Sequence, residues 1–145
     1  MGLLLGIVQI VVINQIKGKQ MEINKFNQAM FKFCKRLTEN NKTYTDRFEF
    51  MEGTVFAPSK GGSRFVKVLT YESRIETDYE TGEKTIHKDK KGRIHCFVEK
   101  ETGDVYKPQT WRAPYTKGNN AVRGNIYDLS TVPDNSDQCG GWLYV

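Results

Sequence analysis

Acidic residues are missing from the first 21 positions of this chain, and the residue types that usually carry chemistry are scarce throughout. The 145 residues include three cysteines (Cys34, Cys96 and Cys139) and two histidines (His87 and His95). No Cys-x-x-Cys pair occurs, so the four closely spaced nitrogen and sulfur ligands of a structural zinc site are not supplied, and no metal is expected. An odd number of widely spaced thiols fits a reducing compartment better than a disulfide framework. His-Glu-x-x-His, a nucleophile elbow and a paired-carboxylate motif in context are all lacking. No catalytic residue and no cofactor is therefore assigned, and a non-enzymatic protein is expected. The stretch "APSKGGS" (57–63) has two glycines and a lysine but not the Gly-x4-Gly-Lys-Ser/Thr spacing of a phosphate loop, and is assigned to a plain loop.

Long hydrophobic runs are also few. The single one, "MGLLLGIVQIVVINQ", is shorter than the roughly 20 apolar residues that span a bilayer. It also lacks the basic start and the small-residue cleavage site of a signal peptide. Lys17-Gly18-Lys19-Gln20 must be encoded by purine-rich codons with a GG shortly before Met21, as at a bacterial ribosome-binding site. Residues 1–20 are therefore expected to be a translated leader, with Met21 the natural start and 21–145 a single domain. The intact mass of the protein from its native host tests this; retention of Gly2–Gln20 would contradict it. Only if residues 1–20 belong to the protein is membrane contact expected, as an apolar helix in the interface.

What is present suits one small folded domain: 38% hydrophobic residues, 27% charged, seven Tyr, eight Phe and two Trp. The net charge of +5 favours an anionic partner. From Asn24, taken as an N-cap, Phe26, Met30, Phe33 and Leu37 recur at helical spacing, flanked by Ala29 and Cys34. Asn40-Asn41 is expected to end this amphipathic helix. From Arg47 the period changes to two, with Phe48 and Phe50 opening a strand. "RFVKVLTYESRIETDY" continues as a long strand.

"ETGE" (80–83) and "ETGD" (101–104) are near-repeats, each placing Gly where a bulged hairpin turn needs positive φ. Two such turns predict a meander. The return arm "KTIHKDKK" is expected to be an exposed edge whose lysines discourage strand addition. In "RIHCFVEK", strict alternation would put Ile94, Cys96 and Val98 on one face and His95, Phe97 and Glu99 on the other. His95 and Cys96 would then form no dyad. "VYK" returns as a strand, and Pro108 and Pro114 break regular structure on either side of Trp111-Arg112. The expected fold class is α+β, one amphipathic helix on an antiparallel sheet of four to six strands.

The stretch from 106 to 127 interleaves cations with rings: Lys107, Trp111, Arg112, Tyr115, Lys117, Arg123 and Tyr127. Such a mixture suits single-stranded DNA or RNA, cations on phosphates and rings on bases. A competing account has Trp111 and Tyr127 pinning a long loop to the core. The alternative function is a protein–protein module acting through the charged hairpin at 74–92.

"HCFVEKETGDVYKPQTWRAP", then "VRGNIYD" and a closing "GGWLYV", resembles a family of small proteins of tailed bacteriophages over about Arg93 to Val145. The charged insertion at 74–92 departs from that pattern. The resemblance implies a viral origin, residence in the cytoplasm of a bacterial host or in the virion, and a host or virion protein as the partner of the alternative reading. It implies no activity, so no catalytic residue follows from it.

Overall fold

The computed structural model describes residues 2–48 and 50–144. One helix, α1 (Gly2–Thr45), is followed by six strands: β1 (Met51–Pro58), β2 (Phe65–Thr77), β3 (Lys84–Lys88), β4 (Arg93–Glu99), β5 (Asp104–Tyr106) and β6 (Val122–Asn125). Two short 3-10 turns, Leu129–Thr131 and Gly141–Leu143, close the chain. All the strand pairs are antiparallel, in the order β1-β2-β4-β5-β6. β2 is long enough to hold two partners on one edge: β4 along Phe65–Thr70 and β3 along Ser73–Thr77. The fold is α+β, a helix on a six-stranded meander, as the periodicities predict.

α1 packs on the sheet through Met30, Phe33, Cys34 and Leu37, which meet Phe56, Val66, Val68, Cys96, Val98 and Val105. Phe33, Val68, Cys96, Val98 and Val105 are sealed completely. The apolar stripe is therefore core, and burial pushes the Cys34 thiol up to about 12 and the Cys96 thiol up as well. The helix boundaries differ from expectation. Asn24 lies inside α1 rather than capping it, and the helix passes Asn40-Asn41 to end at Thr45. These asparagines have tertiary partners instead. Asn40 Nδ2 donates to the Pro133 carbonyl (3.2 Å) and Ser136 Oγ (3.0 Å), and Asn41 Oδ1 accepts from Gln138 N (2.7 Å). Arg36 pairs with Asp134 at 2.7 Å. One polar side of the helix thus fastens the C-terminal segment over the sheet. Phe48 and Phe50 also depart from expectation: they lie before β1, their rings 5.3 Å apart.

Both near-repeated turns form alike. Gly82 and Gly103 have φ of 73° and 76°, and Thr81 Oγ1 and Thr102 Oγ1 accept from the amides of Glu83 and Asp104. Their surroundings differ. A Cβ at Gly82 would meet open space, whereas one at Gly103 would lie 2.6 Å from the Tyr127 ring. Asn125 ties that second turn to β6, donating to Thr102 O (3.0 Å) and Asp104 Oδ1 (2.9 Å). Gly82→Ala should cost about 1 kcal/mol for the left-handed backbone, and Gly103→Ala distinctly more for the added clash. Urea unfolding of the two variants checks this; equal losses would contradict it.

The alternation expected across His95-Cys96 fails for a definite reason. Val68 pairs with Cys96 but Leu69 pairs with Ile94, so His95 is the extra residue of a β-bulge. Ile94 therefore shares the face of Leu69, away from α1, while His95 turns inward with Cys96. The His95 ring packs at 4.9 Å against Phe56, and its Nε2 accepts from Trp142 Nε1 at 3.2 Å. Burial lowers its pKa to about 4, against the opposing pull of a backbone hydrogen bond at Gln138. His95 is a neutral core residue joining sheet to C-terminal tail.

Candidate nucleic-acid interface

The sheet face opposite α1 carries the candidate site. Val66 and Val68 of β2 point to the helix, so Phe65, Lys67 and Leu69 point away from it. Across the sheet Lys67 pairs with Phe97, which pairs with Tyr106. Phe65 lies edge-on to Phe97 (6.2 Å) and to Tyr106 (5.9 Å). The Arg64 guanidinium sits 4.9 Å over the Phe65 ring and 3.5 Å from Glu99 Oε2. The Tyr106 hydroxyl donates to that same carboxylate oxygen at 3.3 Å. Burial, with the Glu99 carboxylate beside it, pushes the Tyr106 phenol up. Glu99 is thereby used up under the aromatic floor.

Two loops wall this floor. The β1–β2 connection is drawn in by hydrogen bonds from Ser59 N to Lys67 O (2.8 Å) and from Gly62 N to Phe65 O (2.9 Å). The strap 107–115 is pinched shut where Pro108 bridges Pro114, with Tyr115 N donating to Lys107 O at 2.9 Å. Both prolines lack an N–H, so the strap leaves the ladder here and bends back on itself. Inside it Thr110 Oγ1 accepts from Arg112 N (3.2 Å) and Ala113 N (3.1 Å). This turn presents Trp111 at its tip, 47% exposed, with Lys67 Nζ 4.3 Å from the ring centroid. The cavity between loop and strap holds about 510 Å³ and is lined by Lys60, Arg64, Phe65, Lys67, Trp111 and Arg112 among others, with four cations and no carboxylate among the described lining residues.

Of the seven residues expected at an interface, the structure brings two together here, Trp111 and Arg112. Lys107 lies elsewhere, its Nζ held between the rings of Tyr115 (4.7 Å) and Tyr144 (5.1 Å). Tyr127 lies against the Gly103 turn, with Lys25 Nζ 5.2 Å from its ring. Its ring lies on that turn while staying 44% exposed. Arg123 lines a separate cleft with Thr131 and Trp142, and Lys117 is exposed just before the bend at Gly118. The expected interface is therefore split among several places. Sequence reasoning missed Lys60, Arg64, Phe65 and Lys67. The signal was available in "KGGSRFVK", where period-two geometry already sets Phe65 and Lys67 on one face.

Among the described residues no group of three or more His, Cys, Asp or Glu side chains could hold a metal ion, and no helix is long and apolar enough to cross a membrane. Fold and site define a small α+β protein with a basic, ring-floored cavity on the open face of its sheet. The chain belongs to DUF7717, a family of unknown function whose profile matches residues 12–145. No curated protein and no solved structure matches it.

Proposed function

We propose that this cavity binds single-stranded nucleic acid, with Lys60, Arg64, Lys67 and Arg112 holding phosphates while a base stacks on Trp111. The observation that carries the reading is the half-exposed Trp111 ring set among four cations with no carboxylate in the lining. Cation and ring together are what a sequence-tolerant single-strand site needs, since every base has a π-face and every nucleotide a charge. Neither histidine and none of the three thiols is among the described lining residues of the cavity. Cys34 and Cys96 are buried thiols with raised pKa values. The likeness to small phage proteins supports placing this binding inside an infected bacterium.

Titration of a labelled 12-nucleotide single strand at several salt concentrations tests the reading. Each neutralised phosphate on a single strand contributes about −0.7 to the slope of log K against log salt, so three to four contacts predict about −2 to −3. A slope near zero, or no binding at tens of micromolar protein in low salt, would overturn it.

A second reading has its own observation. All five residues of β3 are exposed, its outer edge is unpaired among the described strands, and Tyr79 at the hairpin tip is fully exposed. This projecting hairpin suits a protein partner. Co-purification lost on deleting residues 78–88, with oligonucleotide affinity unchanged, would favour it.

A further inference from the structure

The structure leaves two apolar surfaces of one chain without a partner. The first is the N-terminal part of α1, where Ile7, Val8, Ile10, Val11, Val12, Ile13 and Ile16 are each between 46% and 62% exposed. These residues point in every direction round the helix rather than along one stripe. The second is a groove of about 1020 Å³ between residues 22–39 of α1 and β1. Ile23, Phe26, Phe31, Val55 and Pro58 are among its walls, with Phe31 69% and Val55 56% exposed. Because α1 is unbroken from Gly2 to Thr45, residues 7–16 point away from the groove of their own chain and cannot fill it.

We propose that two copies of the chain carrying residues 1–20 associate about a two-fold axis, each laying residues 7–16 of α1 into the groove of the other. Such an isologous contact runs the two helices antiparallel, so each pairing occurs twice. With Ile16 of one copy opposite Ile23 of its partner, Ile13 falls opposite Phe26 and Val8 opposite Phe31. The same register sets Lys17 opposite Glu22. Glu22 is the only acid in the first 38 residues, and it lines the groove. The segment fits within the wall: ten helical residues span about 15 Å, and the groove wall from Glu22 to Glu39 about 25 Å. A groove with one wall of helix and one of sheet also suits a segment apolar all round, which a simple helix pair would leave half wet. A lipid surface would cover residues 7–16 and leave the groove open; a second copy covers both.

Light scattering of the full chain at tens of micromolar should give twice the 16.7 kDa of one chain. Ile10→Asp in the segment and Phe31→Asp in the groove should each return the single-chain mass with an unchanged circular dichroism spectrum, both positions being exposed in one copy. In a Cys139→Ser background, a mixture of Lys17→Cys and Glu22→Cys proteins should cross-link between chains faster than either alone. The proposal is overturned by a single-chain mass for the unaltered protein, by a doubled mass that survives both aspartates, or by no gain in cross-linking on mixing. It is equally overturned by a monomer that co-sediments with phosphatidylglycerol vesicles through residues 7–16.

Discussion

Trp111→Ala is expected to weaken binding of a single-stranded oligonucleotide roughly tenfold or more, and Trp111→Phe to keep most of the affinity. Truncating a stacked ring costs about 1–3 kcal/mol per base, and nothing else in the cavity replaces it. Phe65 is tied edge-on into the floor with Phe97 and Tyr106. The fold should not suffer, because Trp111 is half-exposed at the tip of a strap whose shape is set by Pro108, Pro114 and Thr110. Lys67 loses its ring contact but remains charged at the floor. Trp142→Phe is the control: its indole N–H serves His95 on the other side of the sheet, so it should lower stability without touching affinity. Anisotropy titration with urea unfolding in parallel separates the two. Equal affinity of Trp111→Ala and the unaltered protein would contradict the stacking role.

The second large effect is a loss of stability in mild acid. His95 is held neutral in the folded protein with a pKa near 4, against about 6.5 when unfolded. Because the folded value is the lower one, protonation favours the unfolded chain. The contribution is fully present above pH 6.5 and is lost as pH falls from there towards 4; below that both states are protonated and the loss stops growing. The shift corresponds to about 3 kcal/mol, a large share of the stability of a domain this size. Protonation also removes the acceptor for Trp142 Nε1, so the C-terminal tail should loosen first. Urea midpoints between pH 7.5 and 4 check this. In His95→Phe the curve should flatten in that window, leaving only the carboxylate contribution. A slope identical in both proteins would contradict the assignment.

Much of the fold was legible because its elements are locally consistent. The Phe26–Leu37 stripe, the β-branched run of β2 and the two ETG turns each have one structural solution that suits both the local chain and the whole. The misreadings share a different cause. Asn24 and Asn40-Asn41 look like helix boundaries by propensity, but the latter pair earns its place through bonds to Pro133, Ser136 and Gln138 nearly a hundred residues away. The bulge at His95 is set by pairing with β2, which alternation within β4 alone does not reveal. The interface was half legible for the same reason. Trp111-Arg112 stood out by composition, but its companions come from the β1–β2 loop and the start of β2, some fifty residues earlier. Tyr127 and Lys107 carried the right chemistry and are committed to the Gly103 turn and the Tyr115–Tyr144 pair.

Ultraviolet cross-linking of a single-stranded oligo(dT) to the unaltered protein, followed by peptide mapping, locates the bound strand on the sheet. Adducts are expected on the peptides carrying Phe65 and Trp111, lost in high salt and in an Arg64→Ala, Lys67→Ala, Arg112→Ala triple variant. No adduct, or adducts confined to the hairpin at 78–88, would contradict the proposed binding.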